Sequence, residues 1–380
     1  MSWMTYFLAA FCIAALAVHL ASIALVGRRL RRAAPESPSG ARPPITLVRP
    51  VCGLENHVEE TLRSSFRLDY PDYEVIFCAA RADDPVVPLV ERLIAEHPQV
   101  PARLLTGDDA ISGNPKLNNV VKGWNAARAE WIVMADSNLL LPADYLDRLL
   151  AVWTPGTGLV SSPAYGSAPE GFAAALEAGF LNSYQARWQL AADELGNGYA
   201  QGKTLFWRRD VLESGGGLKR LGAEMAEDVA STKLVRGAGL KVRVAQRPFA
   251  QPIGRKRLAE VWSRQLRWAK VRRLGFPLLF APEVLTGALP PALALTALVA
   301  LGAVPSGALP LGLVLWYGAE WLFTRSAGWP AGPRDIAAWL LRDLMVPALW
   351  VGAWAGRDFT WRGNHMAKAD ATGLTPAASE

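Results

Sequence analysis

Three aspartates and one short basic–aromatic motif are the residues of this 380-residue chain whose types and spacing could carry chemistry. Asp84 follows the apolar run 73–80 in Asp83-Asp84-Pro85, and Asp136 follows the run 130–135 in Asp136-Ser137-Asn138. Open α/β sheets bind ligands beyond the carboxyl ends of their strands. A carboxylate there can accept hydrogen bonds from a ribose or a uracil, or hold a hard cation that bridges a diphosphate. The same residues would serve equally well as caps of the helices that follow. Asp228 comes after the Gly-rich segment 215–222 and, with Glu227, opens a helix, where the helix dipole also favours acids. Further on stands Arg264-Gln265-Leu266-Arg267-Trp268. Two arginines three apart share a helical face and can fork onto a diphosphate, while Trp268 offers a flat wall to a sugar or a lipid headgroup. Alone, this motif could be a basic interfacial helix; behind three acids at positions 84, 136 and 228 it is far more specific.

Such residues need a scaffold. Residues 45–50, 73–80, 104–105, 130–135 and 158–162 are short apolar runs bounded by turn residues, the pattern of buried strands. Between them, 57–66, the segment after Pro85, 115–128 and 169–194 read as helices. That alternation predicts an α/β fold with an open, mostly parallel sheet and helices on both faces. Beyond it, 226–237 and 258–273 are expected helices. The second mixes Leu258, Val261, Trp262, Leu266 and Trp268 with Arg264, Arg267, Lys270, Arg272 and Arg273, which suits a helix lying at a membrane surface.

The composition is 51% hydrophobic and 19% charged, and the charge is unevenly placed. No Asp, Glu, Lys or Arg occurs in residues 1–27 or 284–319. A bilayer core about 30 Å thick needs roughly 20 apolar helical residues, so both runs are long enough to cross. Arg28, Arg29, Arg31 and Arg32 follow the first run, which holds that end in the cytoplasm and leaves an uncleaved anchor. Three spans are expected near 284–304, 308–324 and 336–355. Arg342 and Asp343 fall inside the last, where charges are costly and either face a polar cavity or pair to lock the bundle. The tryptophans at 262, 268, 339, 350, 354 and 361 are expected where aqueous domain meets lipid. The net charge of +6 forms no basic stripe with aromatic platforms, so no nucleic-acid partner is indicated. Three cysteines without CxxC spacing and four scattered histidines indicate neither a zinc site nor a disulfide framework.

The acids and the RxxRW motif, in a chain with one amino-terminal and several carboxyl-terminal apolar segments, resemble membrane glycosyltransferases of GT-A fold, and most closely the ceramide glucosyltransferase family. Val48-Arg49-Pro50, Leu68-Asp69-Tyr70-Pro71, Asp83-Asp84-Pro85, Asn114-Pro115-Lys116-Leu117-Asn118-Asn119, Ala135-Asp136-Ser137 and Glu227-Asp228 match, as do Ala338-Trp339-Leu340-Leu341-Arg342-Asp343 and Trp361-Arg362-Gly363. The resemblance implies that Asp84 contacts the nucleotide, that Asp136 is the diphosphate and metal acid, and that Asp228 is the general base. An inverting transfer needs one such base for the acceptor hydroxyl, and a divalent cation (Mg or Mn) with Arg264 and Arg267 would neutralise the departing UDP. Lys116 is a further phosphate partner, unless it is simply a solvated lysine; Gly202 and Trp268 fall at the acceptor end.

The implied reaction moves glucose from UDP-glucose to the primary hydroxyl of ceramide drawn from the bilayer. Another UDP-sugar (GlcNAc or glucuronate), a hopanoid acceptor, or a non-catalytic membrane scaffold are the alternatives. The sequence departs from the wider pattern in having Asn138 where many relatives have a second metal-site Asp, and Arg264 where processive synthases favour Gln. The expected layout is an anchor (1–32), a linker (33–43), a cytoplasmic catalytic domain (44–256), an interfacial region (257–282), carboxyl-terminal membrane helices (283–363) and a polar tail (364–380), as a multi-pass protein of the inner membrane. Three full carboxyl-terminal spans would place the tail outside, so a role for Trp361-Arg362-Gly363 at the site would require one segment to be re-entrant or interfacial.

Overall fold

The computed structural model describes residues 2–33 and 42–356 and two short paired strands, Phe359–Trp361 and Asn364–Met366. Most of the expected linker 33–43, the Arg362-Gly363 part of the late motif and residues 367–380 lie outside the described residues. The chain divides into two compact units that interleave along the sequence: one comprises 1–32, 165–194 and 253–356, the other 33–164, 195–252 and 357–380.

The second unit is built on seven strands: β1 (Ile45–Val51), β2 (Tyr73–Ala79), β3 (Ala102–Thr106), β4 (Trp131–Ala135), β5 (Thr157–Ser161), β7 (Thr204–Arg208) and β8 (Lys241–Val244). Two further strands, β6 (Ala164–Glu170) and β9 (Phe249–Arg255), pair separately. The main sheet runs β3-β2-β1-β4-β7-β5-β8. All neighbours are parallel except that β7 runs antiparallel to both β4 and β5. The expected mostly parallel sheet is therefore present, with one reversed strand that periodicity does not announce.

Side chains alternate across the strands, so the sheet has two apolar faces. Leu47, Val75, Phe77 and Val133 enter one core; Val48, Ile76, Cys78, Ile132 and Met134 enter the other. Both faces are buried, as the unbroken apolar strands predict. The helix Pro115–Ala126 packs on the second face. There Gly123 lies so close that a Cβ would stand 2.6 Å from both Val48 Cγ1 and Cys78 Sγ, so only glycine admits this approach. After β2 the helix begins at Val87, with Pro88 rather than Pro85 in its first turn.

The other unit contains the apolar helices. Trp3–Arg31 and Pro333–Trp354 are each long and apolar enough to cross a membrane. Of the three expected carboxyl-terminal spans, only the last qualifies alone. Leu289–Ala300 has 12 residues, about 18 Å of helix, too short for the bilayer core; with Pro277–Leu285 it forms a pair bent by 43°, a broken span or a re-entrant loop. Ala308–Ser326 carries Glu320 and Arg325 and is not apolar enough on the same measure. Trp339, expected at the lipid boundary, is instead 1% exposed, with its ring against Gly179.

Charge inside this unit is paired. Arg342 bonds Glu320 at 2.6 and 3.1 Å, Asp343 at 2.8 Å and Ser183 at 2.8 Å. Asp343 also accepts from Tyr317 Oη and the Ala288 N–H, each at 3.0 Å. Arg187 donates to Ser22 Oγ at 2.9 Å and to His19 Nδ1 at 3.1 Å. His19 therefore carries its proton on Nε2, which donates to the Trp316 carbonyl at 3.1 Å. These contacts join helices remote in sequence and support the bundle-locking reading of Arg342 and Asp343. Arg342→Met strands two buried carboxylates, and breaking such a pair costs roughly 3–5 kcal/mol. The detergent-solubilised variant is expected to unfold at a clearly lower temperature, and an unchanged midpoint would contradict the locking role.

Candidate active site

The reversed strand creates the site. Because β7 runs against β4, Ala135 at the end of β4 pairs with Thr204 at the start of β7. The residues just beyond, Asp136 and the Gln201-Gly202-Lys203 stretch, therefore meet at the carboxyl edge of the parallel strands. The Asp136 N–H donates to the Lys203 carbonyl at 3.1 Å, and Lys203 Nζ reaches Asp136 Oδ2 at 3.1 Å and Asn138 Oδ1 at 3.0 Å.

Lys116 comes from the first turn of the helix Pro115–Ala126. Asn114 caps that helix by accepting from the Lys116 and Leu117 N–H groups, and Pro115 follows it. Lys116 Nζ then makes three bonds: to Asp136 Oδ1 at 2.6 Å, to Glu227 Oε1 at 2.8 Å and to the Gly202 carbonyl at 2.5 Å. An ammonium has three N–H donors, and all three are engaged. Lys116 is thus not a solvated lysine; it can meet a phosphate only by exchanging a carboxylate or a carbonyl for it. Burial opposes its charge, but Asp136 and Glu227 outweigh burial and hold its pKa above the ordinary lysine value. In the same way burial would raise Asp136, yet Lys116 and Lys203 hold it well below the usual carboxylate range.

Asp228 sits in the first turn of Glu227–Gly237, half-buried, and accepts from the Gly202 N–H at 3.0 Å and its neighbour Val229 N–H at 2.8 Å. Burial, then the adjacent Glu227 charge, push its carboxyl up to about 6, against the Gly202 N–H, Lys116 and the Val229 N–H. A carboxylate of this strength is a better proton acceptor than an ordinary aspartate and is still ionised at neutral pH. Gly202 is required by space. A Cβ on it would stand 2.8 Å from Glu227 Oε1, 3.3 Å from Lys116 Nζ and 3.6 Å from Asp228 Oδ2.

Arg49 completes the frame. Fully buried in β1, it donates to the carbonyls of Thr61, Asp136 and Leu139 and to Ser65 Oγ at 2.7–2.8 Å. It thereby fixes the backbone that presents Asp136. Asp84 lies at the same edge of the sheet, beyond β2, where Oδ1 accepts from the Gly53 N–H at 2.8 Å and the Val86 N–H at 3.0 Å. It closes the turn before the helix and ties two strand ends together, without capping the helix itself; among the described residues no bond joins it to the Asp136 cluster.

Arg264, Arg267 and Trp268 lie on the helix Leu258–Gly275 of the other unit. Arg264 Nη1 bonds Glu177 Oε1 at 2.9 Å, and its guanidinium stands 5.7 Å from the Trp268 ring. Gln265 is buried, donates to Glu177 at 3.2 Å and accepts from Gln185 at 2.9 Å. Glu177, itself 1% exposed, anchors the motif. Arg264 is thus half of an ion pair rather than a pair of open forks.

As for a metal, no group of three His, Cys, Asp or Glu side chains converges among the described residues. Mg²⁺ and similar ions are commonly held by one or two carboxylates with substrate phosphates completing the shell. Asp136 with the Asn138 amide oxygen fits a cation shared with a diphosphate, and not a protein-only cage. Asp136, Glu227 and Asp228 against Lys116 and Lys203 leave one negative charge in excess, but Asp136 and Asn138 themselves face both ammonium groups, so a cation there would have to share or displace the lysine bonds.

The fold is similar to that of a mannosyltransferase from Pyrobaculum calidifontis, whose structure was solved with GDP-mannose and Mn²⁺; the TM-score is 0.54 at 21% identity, over 89% of this chain and 99% of that one. The fold is thus that of GT-A nucleotide-sugar transferases. Residues 5–372 match the profile of glycosyl transferase family 21. The chain belongs to that family and is a glycosyltransferase. Among its relatives are ceramide glucosyltransferase 3 of Caenorhabditis elegans, 26% identical over 92% of this chain and 78% of the relative, and ceramide glucosyltransferase 1 of the same organism, 25% identical over 86% and 72%. A ceramide glucosyltransferase of Komagataella phaffii is 37% identical over 108 residues, 27% of this chain and 21% of the relative.

Sequence reasoning gave no role to Lys203, Asn114 or Arg49 and left Glu227 a helix-start acid. A charged residue in the apolar run Ile45–Val51 was the available signal for Arg49; nothing in the spacing marked Lys203. Gly202→Ala is expected to displace Glu227 and Lys116, to lower kcat about tenfold or more, and to lower the unfolding midpoint because a buried ion pair is disturbed. Wild-type turnover in that variant would remove the cluster from the reaction.

Proposed function

We propose that this glycosyltransferase moves glucose from UDP-glucose to the primary hydroxyl of ceramide, with inversion, at the cytosolic face of the inner membrane in which its apolar helices are embedded. The observation that carries the reading is Asp228: a half-buried carboxylate oriented by two backbone N–H groups, raised to about 6, and set beside the Asp136–lysine cluster. One poised base is what direct displacement at an anomeric carbon needs. The names of the relatives support the lipid acceptor, and helices apolar enough to cross a bilayer support a substrate drawn from it.

In this scheme Asp228 takes the proton of the acceptor hydroxyl as its oxygen attacks the anomeric carbon, while the bond to the UDP oxygen breaks on the opposite side. Lys116 and Lys203 stand next to Asp136, where positive charge would stabilise the departing diphosphate. A divalent cation held by Asp136 and Asn138 would, when bound, add charge for the same purpose. Asp84 is assigned to the nucleotide, Arg264 and Arg267 to the diphosphate, and Gly202 and Trp268 to the acceptor end, on the strength of the family's motifs. Arg264 could serve only by sharing or exchanging its bond with Glu177.

General-base catalysis contributes about 10²–10⁴-fold. Asp228→Asn is therefore expected to lower kcat by that order while UDP still binds in calorimetry; near-native turnover would eliminate the base assignment. Chelation by EDTA is expected to stop transfer and Mn²⁺ or Mg²⁺ to restore it. Full activity in EDTA would show that the ammonium and guanidinium groups suffice. Offered a panel of UDP-sugars with ceramide, the purified protein is expected to yield glucosylceramide by mass spectrometry, and another hexosylated product would reassign the donor.

A further inference from the structure

Glu227 and Asp228 are consecutive, and both side chains converge on Gly202. Their oxygens lie 2.8 and 3.6 Å from the point where a Cβ of residue 202 would stand. Two carboxylates so placed repel, yet Glu227 is not free to turn away. It is 8% exposed and held at both oxygens, Oε1 by Lys116 Nζ at 2.8 Å and Oε2 by Asn114 Nδ2 at 2.8 Å. Among the described residues Asp228 receives no ammonium bond; both its side-chain hydrogen bonds come from backbone N–H groups. The nearby cation is therefore divided between Asp136 and Glu227 and kept off the base. Had Lys116 paired with Asp228 directly, the carboxylate would be stabilised and its pull on a hydroxyl proton weakened.

We infer that Glu227 is a positioning residue that sets the strength of the Asp228 base, by taking the Lys116 ammonium for itself and by presenting its own charge to Asp228. The inference rests on Asp228 being the base. Among the described residues, the charges acting on Asp228 are Glu227 on its own helix and Lys116 from the helix Pro115–Ala126; Lys116 is in turn bonded to Asp136, which Lys203 also meets. Of these, Glu227 is the neighbouring charge that acts most strongly against ionisation of Asp228. Removing it acts twice in the same direction, deleting the repulsion and releasing Lys116 toward the base.

The test is the pH dependence of kcat/KM for the donor in the full-length protein in detergent. For wild type, kcat/KM is expected to rise tenfold per unit below pH 6 and level off above it. Glu227→Gln is expected to move that limb down by about one pH unit and to lower the plateau, because a weaker base assists less. Glu227→Asp keeps the charge and is expected to keep the limb near pH 6. UDP affinity, measured by calorimetry, establishes that each variant is folded and binds the nucleotide. A limb that stays at pH 6 in E227Q with UDP affinity intact overturns the inference. Should E227Q fail to bind UDP, the Asp228 carboxyl is titrated directly by carbon-13 NMR in that variant: a midpoint below the wild-type one supports the inference, and an unchanged one overturns it. Absence of any limb near pH 6 in the wild type, or native turnover in D228N, overturns the base assignment instead, so the two failures are distinguishable.

Discussion

A single ammonium group, that of Lys116, joins segments the chain supplies from far apart. It touches the end of β4 through Asp136, the approach to β7 through the Gly202 carbonyl, and the start of the helix Glu227–Gly237 through Glu227. Its three N–H donors match three acceptors, so the cluster has one arrangement rather than several. Burying a charge is tolerable only with such pairing. The pairing in turn depends on β7 running against its neighbours, which carries residues 201–203 in at the edge where the parallel strands end. A parallel strand in that position would have delivered its leading residues to the opposite edge. Gly202 then has to be glycine, because the carboxylates of Glu227 and Asp228 occupy the space a side chain would take.

The arrangement divides labour between chemically identical groups. Asp136, faced by two lysines, is held ionised and presents a fixed negative charge, the state a cation contact needs. Asp228, bonded among the described residues only to backbone N–H groups and facing Glu227, is raised, as the proposed base role requires. In the proposed function, environment rather than residue type separates the two roles. In the apolar unit a similar rule has another outcome. Arg342, Glu320 and Asp343 satisfy one another and fix helices instead of poising a group for reaction.

Much of the fold was legible because it depends on local patterns. The apolar runs at 45–50 and 130–135 could only be buried strands, and the alternation with helices gave the sheet's class. The direction of β7 was not legible, since pairing partners are set by contacts between residues more than forty positions apart, such as Ala135 with Thr204. The membrane segments were overcounted for a physical reason. Freedom from charge over 284–319 marks apolar character but says nothing of the bend between Pro277–Leu285 and Leu289–Ala300. Within the site, acids at the strand end and helix start stood out as Asp136 and Asp228. Lys203 did not, because its meaning comes wholly from the carboxylate it faces, and Arg264 looked open because its partner Glu177 stands far away in sequence.

In the proposed function one base acts once: a single displacement assisted by Asp228 would invert the anomeric centre, whereas a retaining transfer would take two displacements or an ion pair. The most direct measurement is the anomeric configuration of the product, read by proton NMR on glycolipid formed from UDP-α-glucose and ceramide by the purified protein. The account predicts a β-linked glucosyl product; an α-linked product would contradict it.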